Sequence, residues 1–166
     1  MGEVHELLRK RRSIRSYRPD PVPEDMLLTI LDCARLGPSG HNSQDWKFVV
    51  VRDKAMRDKL ADACQWGGFF AQAAVCVAIF SGPEAKTRVE DASSAAMSMI
   101  MAAEGFGLGS CWVWANQCPH TGAVAKLLNA PADYELLELL AIGWPDEQPT
   151  RDKKPLEDVV VWEVFP

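Results

Sequence analysis

Residues 22–51 read VPEDMLLTILDCARLGPSGHNSQDWKFVVV, and three physical signals follow one another there without a break. Pro23 suits the first turn of a helix, and Leu27, Ile30, Leu31 and Ala34 recur at helical spacing to form one apolar face. Gly37 and Pro38 stop that helix. Trp46–Val51 is dense in aromatic and β-branched residues and reads as a buried strand. A polar loop, Gly37–Asp45, is therefore held between a helix and a strand, which already points to a chain of mixed α and β class.

Working outward, VHELLRKRR from Val4 reads as a short helix with Val4, Leu7 and Leu8 on one face and a basic exit at Arg9 to Arg12. Pro19, Pro21 and Pro23 make the next stretch an extended connector. Beyond the quoted segment, Asp53 reads as the N-cap of a helix to about Cys64. Ala74–Ser81 is a second buried strand, ended by Gly82 and Pro83. The longest helical candidate runs from Lys86 to Phe106, with Ala92, Ala95, Ala96, Met99 and Ala103 along one face. Small residues there suit a central core helix or a subunit interface. Cys111–Trp114 reads as a strand and Pro119–Leu128 as a helix; Leu136–Ile142 and Val159–Val164 are apolar strand candidates separated by a polar loop from Trp144 to Pro155. No repeat or low-complexity linker divides the chain, so residues 1–166 are expected to form one unit.

The 166 residues are 48% hydrophobic and 25% charged, values that exclude a disordered, collagen-like or coiled-coil chain. A net charge of −5 gives no overall attraction to nucleic acid or an anionic membrane, so any anion site must be local. The longest uninterrupted apolar run, Ala73–Phe80, is too short to span a bilayer. The five cysteines, at 33, 64, 76, 111 and 118, form no C-x-x-C pair, which argues against a disulfide framework or a zinc site. No metal is expected, and a reducing cytoplasm is the expected location.

Four constellations can carry chemistry. Arg11-Arg12-Ser13-Ile14-Arg15 offers guanidinium groups that grip phosphate, although read alone a solvated basic turn explains it as well. The Pro38–Trp46 loop carries Asn42 and Gln44, whose amides suit the edge of a heterocycle, while Pro, Gly, Ser and Asn are also ordinary turn residues. Gly107–Asn116 contains G-x-G but follows a helix and lacks the dinucleotide fingerprint; Trp112 and Trp114 suit an aromatic pocket or core packing equally. Arg151, Lys153 and Lys154 form a second cationic cluster.

Taken in order, RRSIRSY at 11–17, the 22–51 segment with its PSxxNxQxW pattern, an alanine-rich helix leading into GFGLGSCWV, and IGWP with its basic loop resemble the FMN-dependent nitroreductase family. The resemblance runs from about Arg11 onward. It implies an α+β nitroreductase-like fold: a central, mostly antiparallel sheet flanked by helices, built as an intertwined homodimer with FMN in the subunit interface. It places Arg11, Arg12 (through its backbone) and Ser13 on the phosphate and ribityl chain, and Arg15 near the flavin pyrimidine ring. Pro38, Ser39, Asn42 and Gln44 fall in a loop that reaches the partner's flavin. Arg151 and Lys153 join the phosphate, and Gln65 matches an amide position at the pyrimidine edge. Trp112, Trp114 and Ala115 line the flavin N5 side.

Three departures stand out. Asp45 replaces the usual proline before the tryptophan, Trp114 replaces a small or acidic residue, and the helical segments that cover the active site in many relatives are reduced. The implied activity is NAD(P)H-dependent reduction of nitroaromatics, quinones or similar small acceptors by a ping-pong route, with no side chain as acid, base or nucleophile. Flavin-consuming or dehalogenating chemistry, or a non-catalytic flavin-binding role, are the alternatives.

Overall fold

Every side chain of Val75–Ser81 is buried, which places this strand at the centre of the sheet with both faces covered. The structure is a computed structural model that describes residues 3–84 and 86–165. Its elements are α1 (Glu3–Lys10), α2 (Glu24–Arg35), β1 (Trp46–Val51), α3 (Lys54–Ala63), β2 (Val75–Ser81), α4 (Arg88–Gly105), β3 (Gly109–Trp114), α5 (Thr121–Leu127) and β4 (Glu135–Gly143). The strand order is β1-β2-β4-β3, and every pairing is antiparallel. β1 and β3 are therefore the two edges.

Alternation along the strands sorts the core into two layers. Val75, Val77, Ile79, Leu140 and Ile142 face α2 and α4, meeting Leu27, Ile30, Ala34, Ala92, Ala95, Ala96, Met99 and Ala103. Cys76, Ala78, Phe80, Leu139 and Ala141 face the other way, onto Leu60 of α3, Phe70 and Val124 of α5. The small residues of α4 are thus core residues within one chain: they let the helix lie close to α2 and the sheet. Asp53 caps α3 as expected, its carboxylate accepting from the Met56 N–H at 2.8 Å.

The Val159–Val164 strand does not form. A short 3-10 turn, Leu156–Asp158, precedes an irregular segment that pairs with no strand. β-branched composition marks a preference for a pleated, half-buried surface, and within one chain no such surface is offered: Trp162 is 82% and Phe165 86% exposed. The apolar face expected on α1 is also not covered, since Val4 and Leu8 stay exposed.

Candidate functional site

The segment after α1 is stitched onto the sheet. Ser13 bridges Ser110 in parallel, and the Ile14 N–H donates to the Ser110 carbonyl at 2.9 Å. This close approach needs a glycine at 109, where a Cβ would lie 2.7 Å from Ile14. The loop after β4 then folds back over the same segment. The Arg18 N–H donates to the Trp144 carbonyl and the Asp146 N–H to the Ser16 carbonyl, both at 2.9 Å. One oxygen of the Glu147 carboxylate accepts from the backbone N–H groups of Arg15 and Ser16.

These bonds bring two clusters that are distant in sequence to one place. Arg11, Arg12, Ser13, Arg15, Pro149, Arg151 and Lys153 line a cleft of about 370 Å³. The Arg12 guanidinium turns back and donates to the Arg9 and Arg11 carbonyls, each at 2.8 Å, closing the C-terminal end of α1. Among the described residues, Arg11, Arg15, Arg151 and Lys153 form no ion pair. The cleft thus holds concentrated positive charge with hydrogen-bond donors free to take an anion.

Beside the cleft runs the outer edge of β3. The Ala115 N–H donates to the Leu137 carbonyl at 3.1 Å, and Ala115 is fully buried, so its N–H is committed to the sheet. By antiparallel alternation the N–H groups of Trp112 and Trp114 point the other way, toward the open edge. The two tryptophans differ. The Trp112 indole is half-buried against the α4 core layer and donates to Glu138, whereas the Trp114 ring is 55% exposed. Glu138 sits where β4 carries a bulge, Leu137 being the extra residue between the Ile79–Glu138 and Phe80–Leu136 pairs. Burial pushes the Glu138 carboxyl up to about 7, with the Trp112 indole and the Ser93 hydroxyl pulling it back down.

The Pro38–Trp46 loop lies against the first turn of α4. His41, Asn42 and Gln44 have φ of 53°, 57° and 51°, the left-handed region. The Asp91 carboxylate accepts from the Gly40 N–H at 2.9 Å and from the Ser43 hydroxyl at 3.3 Å. The Gln44 N–H donates to the Ser39 hydroxyl at 3.2 Å. The Asp45 carboxylate lies close to Gly82, where a Cβ would come to 3.0 Å of it, and one of its oxygens is buried with no hydrogen-bond partner among the described residues; nothing in the structure explains the aspartate at this position.

Gln65 is exposed just past α3, next to Trp66, whose ring meets His120 edge to face. The structure thus gathers Arg11, Arg12, Ser13, Arg15, Arg151 and Lys153 into one cleft. It sets Trp112 and Trp114 along the adjoining edge, and keeps Pro38, Ser39, Asn42 and Gln44 on a separate loop. Sequence reasoning missed Asp91, Glu138 and Glu147. An acid inside the apolar run Leu136–Ile142 was a usable signal for Glu138; Asp91 and Glu147 look like ordinary helix and loop acids.

Burial raises the thiols of Cys64, Cys76, Cys111 and Cys118, that of Cys76 to about 12, which disfavours the nucleophilic thiolate. Among the described residues no three His, Cys, Asp or Glu side chains are grouped to hold a metal. Nor is any helix among them long and apolar enough to cross a membrane.

The Nitroreductase family model matches residues 8–75 and 65–144. The chain belongs to the nitroreductase family. Two relatives illustrate its range. A Methanothermobacter thermautotrophicus protein, provisionally named NADH dehydrogenase/NAD(P)H nitroreductase, is 30% identical over 156 residues, covering 90% of this chain and 82% of the relative. The iodotyrosine deiodinase of Thermotoga neapolitana is 26% identical over 186 residues, covering 97% of each chain. Among solved structures, an FMN-dependent nitroreductase from Clostridium difficile superposes with a TM-score of 0.91 at 29% identity, over 96% of this chain and 98% of that one. A Desulfovibrio desulfuricans structure in complex with FMN gives a TM-score of 0.87 at 28% identity, over 100% and 99%. These superpositions place the four-stranded antiparallel sheet and its helices in the nitroreductase-like fold.

Proposed function

We propose that this chain is an FMN-containing oxidoreductase that uses NAD(P)H to reduce nitroaromatics, quinones or similar small acceptors. The observation that carries this reading is the convergence of Arg11, Ser13, Arg15, Arg151 and Lys153 on a cleft at the outer edge of β3. A terminal phosphate fits a cleft with unpaired guanidinium and ammonium groups, and no dinucleotide fingerprint provides for an adenylate half. From Ser110 to Trp114 the strand advances four residues, about 13 Å, a span for a ribityl chain and the near side of a flavin ring.

In this reading Arg11, Ser13, Arg151 and Lys153 hold the phosphate, and the Arg12 backbone joins them while its guanidinium caps α1. Arg15 sets positive charge at the pyrimidine end, which favours a negatively charged reduced ring. The Trp114 N–H faces the ring at the strand edge, and its indole narrows the space left for an acceptor. Trp112 and Ala115 support that wall from within the sheet, and Gln65 offers an amide to the pyrimidine edge. When bound, FMN would supply the two-electron hydride chemistry that couples NAD(P)H to an acceptor admitted in its turn. The side chains bind, orient and exclude water.

Residues 1–166 act in this reading as one FMN-binding unit, two copies of which assemble as a homodimer in the cytoplasm. Pro38, Ser39, Asn42 and Gln44 reach the partner's flavin. The apolar tail, with Leu156, Trp162 and Phe165 all more than 70% exposed, is covered by the second copy.

Absorbance of the purified protein before and after anaerobic NADH or NADPH tests the function. A flavin band that bleaches supports it, and colour that persists favours a storage role. Mass spectrometry of the released cofactor separates FMN from FAD. The deiodinase relative makes reductive dehalogenation the rival chemistry, tested by halide release from a halotyrosine.

A further inference from the structure

Asp91 is an acid in the first turn of a helix, a place where acids usually do no more than complement the helix dipole. Its surroundings show a more specific task. It is 6% exposed, and both carboxylate oxygens are engaged: one by the Gly40 N–H at 2.9 Å, the other by the hydroxyls of Ser43 at 3.3 Å and Thr87 at 3.1 Å. Gly40 and Ser43 flank His41 and Asn42, both left-handed. One carboxylate therefore pins the chain on both sides of two residues that would otherwise favour another conformation. The approach is tight, since a Cβ at Gly40 would lie 2.1 Å from the Thr87 hydroxyl oxygen.

We propose that Asp91 is a positioning residue that holds the Ser39–Gln44 loop in the shape in which it meets the partner's flavin. This rests on the function proposed above. Asp91 itself does not touch the cofactor; it acts by making the competent loop the dominant one. A loop that is competent only a fraction of the time binds more weakly by that fraction.

The test titrates FMN onto apoprotein of wild type, Asp91→Ala, Asp91→Asn, Asn42→Ala and the double variant Asp91→Ala/Asn42→Ala. It reads the dissociation constant from flavin fluorescence and the loop's effect on the ring from visible circular dichroism. Asp91→Ala is expected to weaken FMN binding about tenfold and to change the flavin dichroism. Asp91→Asn keeps the shape and an acceptor for the Gly40 N–H, and should lose less. The double variant should bind little worse than either single one, because Asn42 contributes only while the loop is held. A residue that merely stabilised the fold would give additive losses instead, and that result overturns the proposal. It is also overturned if Asn42→Ala weakens FMN binding while Asp91→Ala and Asp91→Asn do not. If FMN binds wild type and all the variants equally, the loop is no flavin contact and that part of the functional reading falls with it. If FMN does not bind wild type, the functional reading itself fails.

Discussion

The indole N–H of Trp112 donates to the carboxylate of Glu138 on the neighbouring strand, joining an edge tryptophan to an acid that is only 3% exposed. Glu138 lies directly across the ladder from Trp114, so the same carboxylate underlies both aromatic residues of the β3 edge. Burial raises the Cys118 thiol, and the negative charge of Glu138 raises it further.

The pH dependence follows from that burial. Folding raises the Glu138 carboxyl from its usual 4.5 to about 7, so between those values the folded chain holds a proton that the unfolded chain has released. This contribution to stability is complete below about 4.5 and is lost as the pH rises through about 7. Urea unfolding of wild type across this range should show a falling stability that Glu138→Gln largely flattens. An unchanged slope in the variant would assign the effect to other groups.

Arg11→Ala should weaken FMN retention roughly tenfold to a hundredfold, the range for a charged hydrogen bond. Arg9→Ala should do little, because Arg9 lies on exposed α1 beside His5 and outside the cleft. Equilibrium dialysis of both variants decides the matter. Equal losses would mean a diffuse basic patch in place of a built phosphate site.

On the proposed function, in which the Trp114 ring narrows the acceptor space and only its backbone meets the flavin, Trp114→Gly should broaden acceptor choice while leaving flavin content near wild type. The ring is more than half exposed, so the cost in stability should stay near 1 kcal/mol, mostly from glycine in a strand. Comparing kcat/KM for a small quinone and a bulky nitroaromatic in both proteins is the measurement. A fixed ratio would reduce Trp114 to a bystander.

Truncation before Asp158 removes little that the single chain buries, so the shortened protein should fold. If the tail is an interface, sedimentation should find a monomer with little flavin. A truncated chain that stays dimeric with full flavin occupancy would place the interface elsewhere.

Much of the fold was legible because its signals are local. The β-branched run of β1, the cap at Asp53 and the alanine face of α4 each carry their own explanation. Val159–Val164 was misread because composition reports a wish to be covered and not the identity of the cover. The cleft was legible only as two separate weak clusters. What joins them is Glu147 on the N–H groups of Arg15 and Ser16, and an acid in a polar loop gives no sign of such a partner. Asp91 was hidden in the same way, behind the ordinary role of acids at helix starts.

The Glu147–Arg15 contact spans 132 positions of sequence. Each cationic cluster lies beside one of its ends, so neither half of the chain alone contains an anion cleft. Closing so long a loop is paid for in chain entropy before any local reward arrives, and such contacts form late. Flavin therefore cannot template the early steps of folding; it can only capture a chain that has already closed. In refolding from denaturant, recovery of flavin fluorescence quenching should trail recovery of helical dichroism, and excess FMN should slow unfolding without speeding the return.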